Sequence, residues 1–141
     1  MFAQNFLTPA DLKIKDDLHA APIQVLGMLE RGELIHARSV FNAPCIFTYA
    51  YKEKIPSLFN MNNWCLKPED SSCGTVMCIG GACEAIMKRE IKEVYTPGLL
   101  GLFHPHDVSS GYWEDITVEE AALALRNYLT TGKPKWKEVL L

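Results

Sequence analysis

The chain has 141 residues, 48% of them hydrophobic and 22% charged, with a formal net charge of −3 at pH 7. That length is about one domain, able to bury roughly two thirds of its extended surface, so a packed core needs no disulfide or metal to hold it. No long stretch gathers Lys or Arg, which argues against a nucleic-acid footprint or an anionic-membrane surface.

The N-terminal M-F-A-Q-N-F-L-T-P-A-D lacks the basic start and apolar run of a secretory signal. The longest apolar run, Thr75 to Cys83, has about half the length that a membrane-spanning helix needs. Five cysteines without an export signal predict free thiols in a reducing cytoplasm. Neither a nucleic-acid nor a membrane partner is expected.

Thr8-Pro9-Ala10-Asp11 reads as a helix start, with Thr8 as the cap, proline in the first helical position and an acid in the first turn. Leu12, Leu18, Ala21, Val25 and Leu29 follow at approximate helical spacing, Pro22 is expected to kink or split the helix, and Arg31-Gly32 ends it. In Ala43–Tyr51, residues Cys45, Phe47, Tyr49 and Tyr51 alternate with smaller or polar neighbours, the period of a strand. Residues 52–72 read as a connection with turn chemistry.

Positions 74–90 carry no proline, and their second half sets Ala82, Cys83, Ile86 and Met87 opposite Glu84, Lys88 and Arg89, which predicts a buried helix. Thr96-Pro97-Gly98 breaks it, and Gly98–Phe103 forms a short apolar turn. Thr117-Val118-Glu119-Glu120 is a capping box opening a helix that carries Ala121, Ala122, Leu125, Tyr128 and Leu129 inward and stops at Gly132. A last amphipathic piece places Trp136, Val139 and Leu140 on one side. The resulting expectation is a mainly α single domain, residues 1–141, with room for one short strand or small hairpin near 44–51. The buried helix 74–90 is expected to be packed by helix 118–130 and by the N-terminal helices.

Two chemistries compete in E-D-S-S-C-G-T-V-M-C-I-G-G-A-C-E, residues 69–84. A thiol at a helix N-terminus feels unpaired amides and the positive end of the helix dipole, which stabilise thiolate. Cys73 sits where the helix is expected to begin, and His104-Pro105-His106-Asp107 offers a base and an orienting carboxylate. Against this, a cysteine flanked by Gly, Val, Met and Ile also suits a core, where it behaves as a small hydrophobe.

Cys73, Cys78 and Cys83 are spaced by five, turning about 140° per step on a helix, so they scatter around it, and no C-x₂₋₄-C zinc pair occurs. Gly80-Gly81 lacks the Lys-Ser/Thr of a phosphate loop and reads as a close-packing point. No metal or cofactor is expected. Lys133-Pro134-Lys135-Trp136-Lys137 joins positive charge to an aromatic, but three lysines are too few for nucleic-acid affinity, and solvated lysines around a packed Trp136 are the preferred reading.

Four pieces in fixed order carry a resemblance. These are Phe59-Asn60-Met61-x-x-Trp64, then Cys73-Gly74-Thr75-Val76-Met77-Cys78-Ile79-Gly80-Gly81, then Leu102-Phe103-His104-Pro105, and finally the segment from Ala121 to Trp136 with its T-G-x-x-x-W end. The order resembles a group of small uncharacterised proteins from bacteria and their phages that share F-x-M-x-x-W … C-G-T-x-x-C-I-x-G … L-F-x-P … T-G-x-x-x-W. The resemblance spans Phe59 to Trp136 and implies a bacterial or phage origin and a cytosolic setting. No catalytic residue comes with it.

The leading functional expectation is therefore a non-catalytic cytosolic accessory protein that contacts a protein partner or forms a homo-oligomer. The alternative is a cysteine-nucleophile hydrolase or transferase, with Cys73 as nucleophile, His104 or His106 as base and Asp107 orienting it. A thiol redox or metal sensor is the third.

Overall fold

The structure, a computed structural model, describes residues 5–36, 45–47, 56–59, 61, 65–68, 75–106 and 108–140. A first helix, α1 (Pro9–Leu12), opens on the expected cap: the Asp11 amide donates to Thr8 Oγ1 at 3.1 Å and the Thr8 amide to Asp11 Oδ2 at 3.0 Å. Lys13 then turns left-handed, φ 59°, and the chain restarts as α2 (Asp16–Glu30). The break thus falls at Lys13 and not at Pro22, through which α2 runs on. A proline inside a helix costs about 3 kcal/mol. Leu18, Ala21, Pro22, Val25, Leu26 and Leu29 are all buried, and a large apolar side chain so buried contributes about 1.5–3 kcal/mol, so packing wins. Gly32, φ 74°, ends the helix as expected, with the Glu33 amide reaching back to the Met28 carbonyl at 2.9 Å.

Five short strands follow: β1 (Ile35–His36), β2 (Cys45–Phe47), β3 (Pro56–Phe59), β4 (Cys65–Pro68) and β5 (Thr75–Met77). They form one mixed sheet in the order β1-β3-β5-β4-β2. β1, β3 and β5 are parallel, with Leu58 opposite both Ile35 and Val76, while β4 is antiparallel to β5 and to β2. This corrects the expectation of at most one strand or small hairpin near 44–51: β2 lies there, but its partner β4 comes from the stretch read as a connection. The helical expectation is met in the rest of the chain, since helices supply most of the regular structure among the described residues.

The expected helix 74–90 is divided. β5 occupies 75–77, Cys78 is extended (ψ −175°), and α3 runs Ile79–Met87 before Lys88 ends it with φ 58°. A central strand and a buried helix both read as continuous apolar runs, so period alone does not separate them. α3 packs mainly on α2, which is also the principal partner of the later helix α5 (Val118–Thr131). The N-terminal helix, then, is the main cover of α3.

Between these lies α4 (Pro97–Phe103), capped by Thr96, whose Oγ1 accepts from the Leu99 amide at 3.3 Å. A 3₁₀ turn, Ser110–Asp115, leads to α5. The Thr117–Glu120 capping box is present, with bonds of 2.9 and 3.1 Å, and Gly132 ends α5 at φ 85°. The short α6 (Trp136–Val139) closes the fold, with Trp136 buried as expected. The N-terminal segment is strapped to the core: the Leu7 amide donates to the Leu129 carbonyl at 2.7 Å, and His19 Nε2 donates to the Leu7 carbonyl at 2.8 Å.

Helix α4 and the end of α5 meet at two glycines. A Cβ added to Gly98 would lie 2.1 Å from the Gly132 carbonyl oxygen, whereas one added to Gly101 would meet only the Pro134 ring, at 3.7 Å. Gly98→Ala is therefore expected to cost about 1–3 kcal/mol through overpacking, and Gly101→Ala to be neutral or to gain up to about 1 kcal/mol from helix propensity. Urea-unfolding midpoints of the two variants against the unmodified chain check both values; equal midpoints would contradict the close approach.

Candidate functional site

The cysteine stretch is built by the β5–α3 junction. Because α3 begins at Ile79, its N-terminal position belongs to Cys78 and not to Cys73, and the Cys78 Sγ accepts from the Gly81 amide at 3.4 Å. Two effects oppose each other at this thiol. Desolvation by burial raises its pKa, while the Gly81 and Gly80 amides lower it; burial wins, and Cys78 is pushed up to about 12. Cys83, also free and buried, is pushed well above the ordinary thiol value, chiefly by burial and further by the neighbouring Cys78 and Glu84. Gly80 and Gly81 are buried beside them.

Of the four residues assigned to nucleophilic chemistry, Cys73 and Asp107 lie outside the described residues. His104 follows α4, half-buried, stacked on Tyr95 with ring centroids 6.2 Å apart, while Tyr95 meets Phe103 edge-on at 5.5 Å. Burial, then the charge of His106, lowers the His104 pKa. His106 is exposed, and its amide donates to the His104 carbonyl at 2.6 Å. The two imidazoles therefore have different settings, one a packed ring and one a surface group. Among the described residues no three of His, Cys, Asp and Glu are grouped to hold a metal ion, and no helix is long and apolar enough to cross a membrane.

The residues after α3 carry a charged clamp that sequence reading did not single out. Arg89 Nε and Nη2 grip Asp17 at 2.7 and 2.9 Å, and Nη1 and Nη2 grip Glu93 at 3.0 and 2.8 Å, which ties this segment to the first turn of α2. Beneath it the buried Glu84 accepts the Ile91 amide at 2.8 Å. No short-range pattern announces the Arg89–Asp17 pair, because its members are far apart in sequence.

The most constructed surface feature is a cleft of about 300 Å³ between α4, with Pro105 and His106 after it, and the loop Gly132–Lys135 before α6. Both walls are held from behind. The Trp136 indole N–H donates to the Gly101 carbonyl at 2.8 Å and Asn127 Nδ2 donates to the Pro134 carbonyl at 3.1 Å. Thr131 Oγ1 accepts the Lys133 amide at 3.2 Å, and Lys135 sits left-handed at φ 58°, a conformation costing a lysine about 1–3 kcal/mol. The L-F-x-P and T-G-x-x-x-W pieces, distant in sequence, thus face each other. Larger grooves run beside α2, about 630 Å³, and beside the 3₁₀ turn, about 450 Å³.

Comparison of the chain with protein-family models, with curated proteins and with solved structures returns no match.

The clamp sets an acid dependence. Arg89 holds Glu93 at about 2, against an ordinary value of 4.5, and lowers Asp17 as well. A carboxylate depressed in the folded state contributes stability fully above its unfolded pKa, here about 4.5, and loses it as the pH falls towards 2. Asp17 is half exposed, its side chain 50% accessible, so solvent screens its share and Glu93 carries most of the effect, on the order of 1 kcal/mol. Glu93→Gln is expected to cost about that much at pH 7 and to flatten stability between pH 4.5 and 2. Urea titrations across this range measure it, and an unchanged slope would refute the assignment.

Proposed function

We propose that this chain is a non-catalytic accessory protein of a bacterial or phage cytoplasm, acting through contacts with another protein or with a second copy of itself. The observation that carries the reading is the fate of Cys78. The described thiol best placed to be activated, at the start of α3, is 2% exposed and pushed up to about 12. A thiol held there stays protonated at neutral pH and is a poor nucleophile. Phe59, Met61, Leu102, Phe103, Pro105 and Trp136, which carry the resemblance, are likewise buried, which supports reading those positions as packing. Contact area is on offer outside: Val94, Leu100, Tyr112 and Leu123 are exposed apolar side chains, and Leu123 borders the seam between α2 and α5.

The test is alkylation of the folded protein by iodoacetamide across a pH series, read cysteine by cysteine through peptide mass mapping. Cys78 and Cys83 are expected to react only as fast as the protein unfolds, and no cysteine to show an apparent pKa well below the free-thiol value of about 8.5. Rapid labelling of Cys73 alone at neutral pH, abolished by His104→Ala or His106→Ala, would replace this reading with a cysteine-dependent hydrolase or transferase that uses Asp107 to orient its base.

A further inference from the structure

Among the described residues, the ionisable groups that line the cleft between α4 and the Gly132–Lys135 loop are His106, Lys133 and Lys135, with no carboxylate beside them, although the chain as a whole carries a net charge of −3. Both lysines are exposed, and among the described residues neither is ion-paired, whereas Arg31, Arg89 and Arg126 all are. The exposed Pro97 with Gly98, Gly101 and Gly132 completes the open lining, and Pro105, Pro134 and Trp136 lie buried at its base, a rigid surface that loses little freedom when covered. The loop bearing the lysines is fixed before any ligand arrives, by the bonds of its backbone to Thr131 and Asn127 and by Trp136 anchored on Gly101.

We infer that this cleft is a docking site for an acidic segment of a partner polypeptide, an Asp- or Glu-bearing stretch whose carboxylates meet Lys133 and Lys135 while its backbone lies along Pro97, Gly98 and Gly101. The inference rests on the accessory-protein reading and names the chemistry of the partner. Charge complementarity selects an anion, and the dimensions select among anions. About 300 Å³ is at the small end of ligand sites and accommodates one or two side chains. Nucleic acid is the poorer fit, because single-strand binding combines a long basic track with exposed aromatics for stacking. Here the cleft offers two lysines and one histidine, and its buried aromatic, Trp136, is 2% exposed with its N–H already committed to Gly101.

The experiment uses the full chain and three fluorescein-labelled probes, hexaglutamate, hexaglutamine and a decathymidine oligonucleotide, followed by anisotropy at two salt concentrations. Hexaglutamate is expected to bind with an affinity that falls as salt rises, and to bind at least tenfold more tightly than hexaglutamine. Lys133→Gln/Lys135→Gln is expected to lose that preference while keeping the urea midpoint of the unmodified chain, since both side chains are exposed and make no described ion pair. Lys137→Gln, two residues beyond Lys135 and outside the cleft lining, is expected to leave binding within twofold. Equal binding of the two peptides, tighter binding of the oligonucleotide, or an unaffected double-lysine variant would each overturn the inference. Lysine-dependent self-association without peptide would do so too, by making a second copy the occupant. None of these outcomes depends on the cysteines, so the docking site and the non-catalytic reading fail separately.

Discussion

Helix α2 has to satisfy two partners at once, and the architecture follows from that constraint. It is the main cover of α3 and of α5, and its interior is continuous enough in apolar character to tolerate a proline in the seventh position. The arginine clamp then fixes its orientation: Arg89, beyond the end of α3, reaches the first turn of α2 through Asp17, and Arg126 of α5 pairs with Glu30 at its other end. Apolar burial supplies the free energy, and the two charged links at opposite ends set the register in which it is gained.

Local features were legible in the sequence and non-local ones were not. Thr8, Thr117, Gly32 and Gly132 act where caps and stops were expected, because a cap is a matter of three or four consecutive residues. Apart from β2, the sheet escaped because its strands are two to four residues long, too short to display a period, and because their partners lie from about ten to more than twenty positions away. Thr75-Val76-Met77 is the clearest case: it stands in an apolar run that continues into Ile79 and reads as one helix. Moving the helix start by five residues moved the activated-thiol argument from Cys73 to Cys78.

That transfer tested the argument on a thiol whose surroundings are described. At Cys78 burial opposes the thiolate, helped by the charge of Glu84, while the backbone amides of Gly81, Gly80 and Cys78 favour it. An N-terminal helix amide is worth a fraction of a kcal/mol to about one, while complete desolvation shifts an ionisable group by several pKa units. Position at a helix start is thus insufficient for reactivity without access to water. The candidate cleft was illegible for the opposite reason: its lysines were visible, but the wall facing them, Pro97 to His106, is contributed by a segment about thirty residues earlier and is placed by Gly98 and Trp136.

The strap at Leu7 carries a consequence for how this fold is reached. Its amide bonds to Leu129 and its carbonyl to His19, joining the beginning of the chain to the last long helix. A contact spanning almost the whole sequence carries the largest loop-closure entropy, though that entropy grows only logarithmically with span, by about 0.6 kcal/mol per doubling. Once α2 has docked on α5 the loop to be closed at Leu7 is only the short stretch from α2, and most of that cost has been met. With α2 docked on α5, the strap therefore closes at little further entropic cost, and it ties the segment before α1 to the last long helix.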